Sequence, residues 1–123
     1  MEKVWLRGHV KVATYPFRIH DFNRSIVFYN KAGENVAFAW DDSQQCCEHF
    51  ETNVPDNLLE QEFPNGIYLE VSEQEDTVTF IVTERKVETP QIFKVTVSNK
   101  HNGYYAHKVG VLRNGKYHWE SLV

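Results

Sequence analysis

Alternating apolar and polar residues predict that most of this chain is β-strand. The clearest case is the segment Thr77 to Thr83, in which every second residue is apolar. The other predicted strands are Val4 to Tyr15, Ser25 to Asn30, Asn35 to Asp41, Ile67 to Ser72, Gln91 to Ser98, Tyr104 to Leu112 and Tyr117 to Glu120. The segment Gln44 to Glu51 is compatible with a further extended stretch. Aromatic residues make up 14% of the chain, which also favours strands, because such side chains fit a pleated, half-buried surface.

Two glycine-containing turns are predicted to reverse the chain. Lys31 to Glu34 joins two predicted strands, with Gly33 suited to a positive φ. Asn114-Gly115 predicts a hairpin turn with positive φ at both central residues. The strand after the first turn is expected to have one large-residue face and one small-residue face, namely Val36, Phe38 and Trp40 against Ala37 and Ala39.

One short helix is predicted at Pro55 to Gln61. Proline suits its first position, and Leu58 and Leu59 are expected to contact the core. The predicted fold class is therefore α+β: a single domain over residues 1–123, with a strand-rich antiparallel sheet of about seven or eight short strands and one short helix.

The N-terminal sequence and the overall hydropathy predict a cytoplasmic protein. No apolar run approaches the roughly 18–20 residues that cross a bilayer, and the first ten residues lack the apolar region of a signal peptide. In that compartment the adjacent Cys46 and Cys47 are expected to be reduced thiols.

Acidic residues are concentrated in the middle of the chain. Eleven lie between Asp41 and Asp76, a span without Lys or Arg, and basic residues predominate on both sides. A block of one charge sign indicates a partner rather than a fold, and we expect it to bind a basic site on another protein. The predicted partner-binding residues are Asp41, Asp42, Glu51, Asp56, Glu60, Glu62, Glu73, Glu75 and Asp76.

Catalysis and metal binding are weakly supported by the same stretch. Cys46, Cys47 and His49 are competent zinc ligands, but adjacent residues on a strand point to opposite faces and cannot easily hold one ion. A reactive cysteine needs a cationic setting, whereas this one is acidic. We therefore expect neither an enzyme nor a metal or other cofactor, and we expect the paired carboxylates to be solvated.

A second hypothesis is a small-ligand sponge or sensor that binds a nucleotide-like molecule. The sequence pI of about 5.8 argues against direct nucleic-acid binding, but a compact phosphorylated ligand needs only a few basic and aromatic groups. The candidate residues for this function are Arg85, Lys86, Asn102, Tyr104, Tyr105 and Arg113. Exposed strand edges are also compatible with a homodimer.

Two short motifs resemble those of a known family. Cys46-Cys47-Glu48 follows a glycine-turned hairpin and precedes an acidic segment, and Asn102-Gly103-Tyr104-Tyr105 precedes a strand. This order resembles an uncharacterised family of small phage and bacterial proteins, over about residues 24–110. Members have Asp-Leu-Asp-Asp-Leu-Ile-Gly where this chain has Val54 to Glu60. The resemblance implies a phage or prophage setting and no reaction. Together with the acidic block, it leads us to expect a protein in the host cytoplasm that blocks a basic site on a host defence or nucleic-acid-handling protein.

Overall fold

The computed structural model describes residues 1–14, 18–43, 49–86, 88–100 and 106–123. These residues form eleven strands and one 3₁₀ helix, Leu58–Glu60, and include no α-helix. The strands are β1 (Val4–Leu6), β2 (Val10–Thr14), β3 (Arg24–Asn30), β4 (Asn35–Trp40), β5 (Phe50–Asn53), β6 (Glu62–Phe63), β7 (Ile67–Glu73), β8 (Thr77–Glu84), β9 (Ile92–Asn99), β10 (Lys108–Arg113) and β11 (Lys116–Leu122). In this part of the chain we find no helix long and apolar enough to span a bilayer.

The strands form two antiparallel sheets that share one core. The five-stranded sheet has the order β1-β7-β8-β9-β5, and the six-stranded sheet has the order β11-β10-β4-β3-β2-β6. Phe38 of the six-stranded sheet stacks on Phe80 of the five-stranded sheet with ring centroids 4.6 Å apart. Phe63 and Phe93 make a second aromatic contact between the sheets, at 5.9 Å. The predicted strand-rich antiparallel architecture is therefore confirmed.

The predicted α+β class and strand number are wrong in two respects. The single strand expected at Val4 to Tyr15 is two strands in different sheets, since β1 pairs with β7 whereas β2 pairs with β3. Gly8, between them, has a φ of +76°, a conformation that glycine adopts without a Cβ penalty. The short strands β5 and β6 were not predicted as strands of their own, so the structure has eleven strands instead of seven or eight.

The segment Pro55 to Gln61 forms no α-helix. Only the 3₁₀ turn Leu58–Glu60 is present, and the side chain of Asn57 does not cap it. The segment is shorter than the roughly 12–15 residues that an isolated helix needs, and it must also connect β5 of one sheet to β6 of the other. Leu58 is fully buried as predicted, but the expected core contact Leu59 is 43% exposed.

The local predictions for the hairpins are confirmed. Asn114 and Gly115 have φ values of +52° and +81°, and they join β10 to β11. On β4 the large side chains Val36, Phe38 and Trp40 lie in the shared core, and Ala37 and Ala39 lie in a separate cluster on the outer face.

That separate cluster covers the middle of the outer face of the six-stranded sheet. It contains Phe22, which comes from the segment before β3, together with Val27, Ala37, Ala39 and Leu112. Lys108 Nζ donates to Asp21 Oδ2 at 3.0 Å, and the Tyr117 hydroxyl donates to the same oxygen at 3.3 Å. These contacts hold the segment that carries Phe22 against the sheet.

Candidate functional site

Several carboxylates of the acidic block are neutralised by nearby basic groups. Asp42 accepts a hydrogen bond from Arg24 Nε at 2.6 Å, and Glu62 lies 3.2 Å from His9 Nε2 and 3.7 Å from Lys11 Nζ. The Asp41 carboxylate accepts hydrogen bonds from the backbone and hydroxyl of Ser43. The fold therefore distributes the predicted binding residues over more than one surface and reduces their charge.

A smaller group of these carboxylates remains together. Glu51 on β5 pairs with Ser98 of β9, which in turn pairs with Thr77 of β8. The backbone oxygen of Asp76 accepts a hydrogen bond from Asn99 N at 2.9 Å, so the β7–β8 turn adjoins the end of β9. We call this group the acidic edge; its members are Glu51, Glu73, Glu75 and Asp76.

The acidic edge has little compensating charge. His49 Nε2 lies 2.5 Å from Glu51 Oε1, whereas Glu73, Glu75 and Asp76 form no ion pair with any described residue. The remaining two predicted residues, Asp56 and Glu60, are exposed on the connection between β5 and β6.

A basic and aromatic group lies on the outer face of the five-stranded sheet. Val4 and Leu6 of β1 enter the core, so the intervening Trp5 points outward and packs against Tyr68 with ring centroids 4.6 Å apart. The guanidinium carbons of Arg85 and Arg7 lie 3.9 and 5.0 Å from the Trp5 ring centroid. Such cation–π contacts hold the guanidinium groups in place.

Of the basic side chains near Trp5, Lys86 has a carboxylate partner, whereas Arg7 and Arg85 have none among the described residues. Lys86 Nζ lies 3.1 Å from Glu84 Oε1, in a charge contact rather than a well-aligned hydrogen bond. Neither Arg7 nor Arg85 has a carboxylate partner among the described residues. The group therefore retains two uncompensated positive charges.

A cleft of about 530 Å³ adjoins Arg85, and we call it the Trp5 cleft because Arg85 stacks on Trp5. It is lined by Gly8, Pro64, Asn65, Arg85 and Lys86. The volume is within the roughly 300–1,000 Å³ that small-molecule sites occupy.

Gly66 brings the two sides of this cleft together. Its φ is +90°, and an added Cβ would lie 2.6 Å from the backbone oxygen of Leu6. Its own backbone oxygen accepts a hydrogen bond from Arg85 N at 3.0 Å. The glycine thus allows the chain before β7 to approach β1 closely while it anchors Arg85.

The structure brings together part of the residue set predicted for a nucleotide-like ligand. Arg85 and Lys86 both line the Trp5 cleft, but Arg113 is on the β10–β11 hairpin and does not line it. Asn102, Tyr104 and Tyr105 lie outside the described residues. The sequence prediction did not include Trp5 and Arg7. Their spacing of two residues in an alternating strand indicates that they lie on the same face, and this pattern could have identified them.

Among the described residues, shifted pKa values occur at one surface cluster. A hydrogen bond from Lys108 lowers the pKa of Asp21 below its usual range, and the same contact raises the pKa of Lys108. Burial, followed by the charge of Asp21, raises the pKa of Tyr117. These groups hold the covering segment on the six-stranded sheet, so we interpret the shifts as structural.

Metal chemistry has no support in the described part of the chain. No group of three or more His, Cys, Asp or Glu side chains there is placed to hold an ion. Cys46, Cys47 and Glu48 lie outside the described residues, so the candidate zinc ligands are not described as a set.

Comparisons with known proteins return no match to a family model, a curated protein or a solved structure.

Proposed function

We propose that this protein is a non-enzymatic binding protein whose ligand is a small nucleotide-like anion. The observation that carries the proposal is the pair of guanidinium groups of Arg7 and Arg85, both held over Trp5 without a carboxylate partner among the described residues. Two guanidinium groups without a carboxylate partner among the described residues favour a ligand with concentrated negative charge.

The chemistry of these groups suits a phosphate. Arginine presents a planar fork of N–H donors that matches phosphate oxygens, and stacking on an aromatic ring reduces the conformational freedom that binding must remove. Lys86 and Asn65 offer further donors on the cleft wall. Binding by these groups requires no chemical step.

Thermal shift with a nucleotide panel tests this function. AMP, ADP, a cyclic dinucleotide and inorganic phosphate would each be added to the full chain. A ligand at 100 times its dissociation constant should stabilise the protein by ~2.7 kcal/mol. Arg85→Gln should abolish the shift and Arg85→Lys should retain part of it, because lysine keeps the charge but not the fork.

Arg113→Gln is the matched control, since Arg113 is exposed and does not line the Trp5 cleft. It should shift as the wild type does. An absence of any nucleotide-induced shift, or an equal loss in Arg113→Gln, would contradict the proposal.

A second candidate function is capture of a basic protein by the acidic edge. The supporting observation is that Glu73, Glu75 and Asp76 have no ion pair among the described residues. Together with the resemblance to phage proteins, this suggests an inhibitor that occupies a basic site on a host defence or nucleic-acid-handling protein. Complementary charge would accelerate the encounter and determine specificity.

A pull-down with charge-reversal variants tests the acidic edge. Replacing its four carboxylates by lysine should abolish salt-sensitive capture of a basic partner from host lysate. Reversal of Glu62 and Glu70, which already form ion pairs, is the control and should preserve capture. Unchanged capture by the four-fold variant would exclude this function while leaving the nucleotide proposal intact.

A further inference from the structure

A second cavity, of about 660 Å³, opens between the two sheets. It lies where β2 ends and β3 begins, under the chain that follows β5. Its apolar lining consists of Ile26, Trp40, Val54 and Leu59. Its polar lining includes Thr14, Arg24, Asp42 and Thr52. We call it the inter-sheet cavity.

Strand register shows which side chains face this cavity. Arg24 pairs directly with Trp40, and Thr14 pairs directly with Ile26. Directly paired residues have side chains on the same side of an antiparallel sheet. Because Trp40 and Ile26 belong to the shared core, Arg24 and Thr14 also face the space between the sheets.

Ser25 contributes to the lining through its backbone. It pairs with Ala39, which belongs to the cluster on the outer face, so its hydroxyl points away from the cavity. From the opposite sheet, Thr52 pairs with the core residue Val97 and therefore faces inward.

Arg24 is the accessible charged donor of the cavity. Trp40 is 4% exposed, and its indole Nε1 is buried without a hydrogen-bond partner among the described residues, so the ring contributes an apolar wall and not a donor that a ligand can reach. Arg24 donates through Nε to Asp42, and the terminal Nη groups of this 65% exposed side chain have no partner among the described residues. The Asp42 side chain is only 27% exposed, so the guanidinium is the more accessible member of the pair.

One residue of the apolar lining, Leu59, is exposed to solvent. Leu59 is 43% exposed and lies beside the donors instead of in the core. An exposed leucine at the mouth of a cavity that also contains Ile26 and Val54 gives an apolar surface for a bound molecule.

We infer that the inter-sheet cavity binds a small amphiphile: an unbranched or aromatic carboxylate. Its apolar body packs on Ile26, Val54 and Leu59, and its carboxylate accepts hydrogen bonds from the terminal nitrogens of Arg24. The Arg24–Asp42 pair is neutral overall, so recognition depends on the directed donors of the guanidinium fork. This site is separate from the Trp5 cleft and does not depend on the proposed nucleotide function.

Calorimetric titration of the full chain with decanoate and decanol tests the inference. The two probes share the apolar chain and differ in the carboxylate. The wild type should bind decanoate at least tenfold more tightly than decanol. Arg24→Gln should remove that preference and leave decanol binding unchanged, whereas Arg113→Gln should behave as the wild type.

A second variant examines the apolar wall. Leu59→Glu changes an exposed residue, so the protein should fold, which thermal melting verifies, and it should weaken both probes at least fivefold. Undetectable decanoate binding by the wild type at millimolar concentration, equal affinity for the two probes, or no effect of Leu59→Glu would overturn the inference.

Discussion

The two sheets share one core, but among the described residues it is the six-stranded sheet that also buries the middle of its outer face. On β4 every residue from Val36 to Trp40 is buried, so both faces of that strand are covered. On β8 buried residues alternate with half-exposed ones such as Thr79 and Ile81. Strands covered on both faces have continuous apolar runs, whereas strands with one solvated face alternate.

Small residues explain how the six-stranded sheet is covered. Ala37, Ala39 and Gly110 leave space on its outer face, and Phe22 fills that space. The outer face of the five-stranded sheet has no comparable cover among the described residues. Trp5, Arg7 and Arg85 lie on this open face.

Removal of the Phe22 ring from the outer face of the six-stranded sheet should produce the largest loss of stability. Phe22→Ala deletes a side chain that is 1% exposed, and we expect a loss of about 3–5 kcal/mol in the free energy of unfolding. Chemical denaturation with an unchanged m-value checks it. A loss below 1 kcal/mol would mean that the outer cluster contributes little.

Gly110→Ala should have an intermediate effect. The added Cβ would lie 2.8 Å from Phe22 Cζ, and we expect a loss of about 1–3 kcal/mol. In a Phe22→Ala background the same substitution should cost less, because the clashing ring is gone. A double-mutant cycle measures this coupling, and additive losses would contradict it.

Thr79→Ala on the open face should have a small effect. Thr79 is half-exposed and pairs with Ser72 and Thr96 at the surface, so we expect a change within about 0.5 kcal/mol. A loss comparable to that of Phe22→Ala would indicate that this face is covered too.

Acid should weaken the contact between Lys108 and Asp21, which holds the segment carrying Phe22 on the sheet. This change should have the smallest effect on stability. Lys108 holds the pKa of Asp21 below its usual range, so this contribution is complete above the unfolded-state pKa of about 3.9. It is lost as the pH falls through the lower folded-state pKa. An NMR titration of the Asp21 carboxyl should show a depressed midpoint that returns to normal in Lys108→Met, and an unchanged midpoint in that variant would refute the assigned cause.

The β3–β4 and β10–β11 hairpins were predictable because their information is local. Asn114-Gly115 specifies a turn by its backbone preferences, and the alternation from Val36 to Trp40 specifies two faces. The N-terminal strand was not predictable in the same way, since the alternation from Val4 to Thr14 does not reveal that β1 and β2 join different sheets.

The candidate sites were only partly predictable. Arg85 and Lys86 could be selected as neighbouring cations, but their proximity to Trp5 depends on the pairing of β1 with β7 and on the close approach at Gly66. Leu59 was expected in the core as a contact of the predicted helix, but the 3₁₀ turn that forms there buries only Leu58 of the two leucines.

The sequence by itself determined the strand-rich class, the turns and the core-facing side of most strands, because alternation and turn chemistry act over a few residues. Only the tertiary structure decided how many carboxylates are neutralised, which arginines meet over Trp5, and where the inter-sheet cavity opens. These features depend on contacts between residues far apart in the chain, and such contacts exist only once both sheets have closed on their shared core.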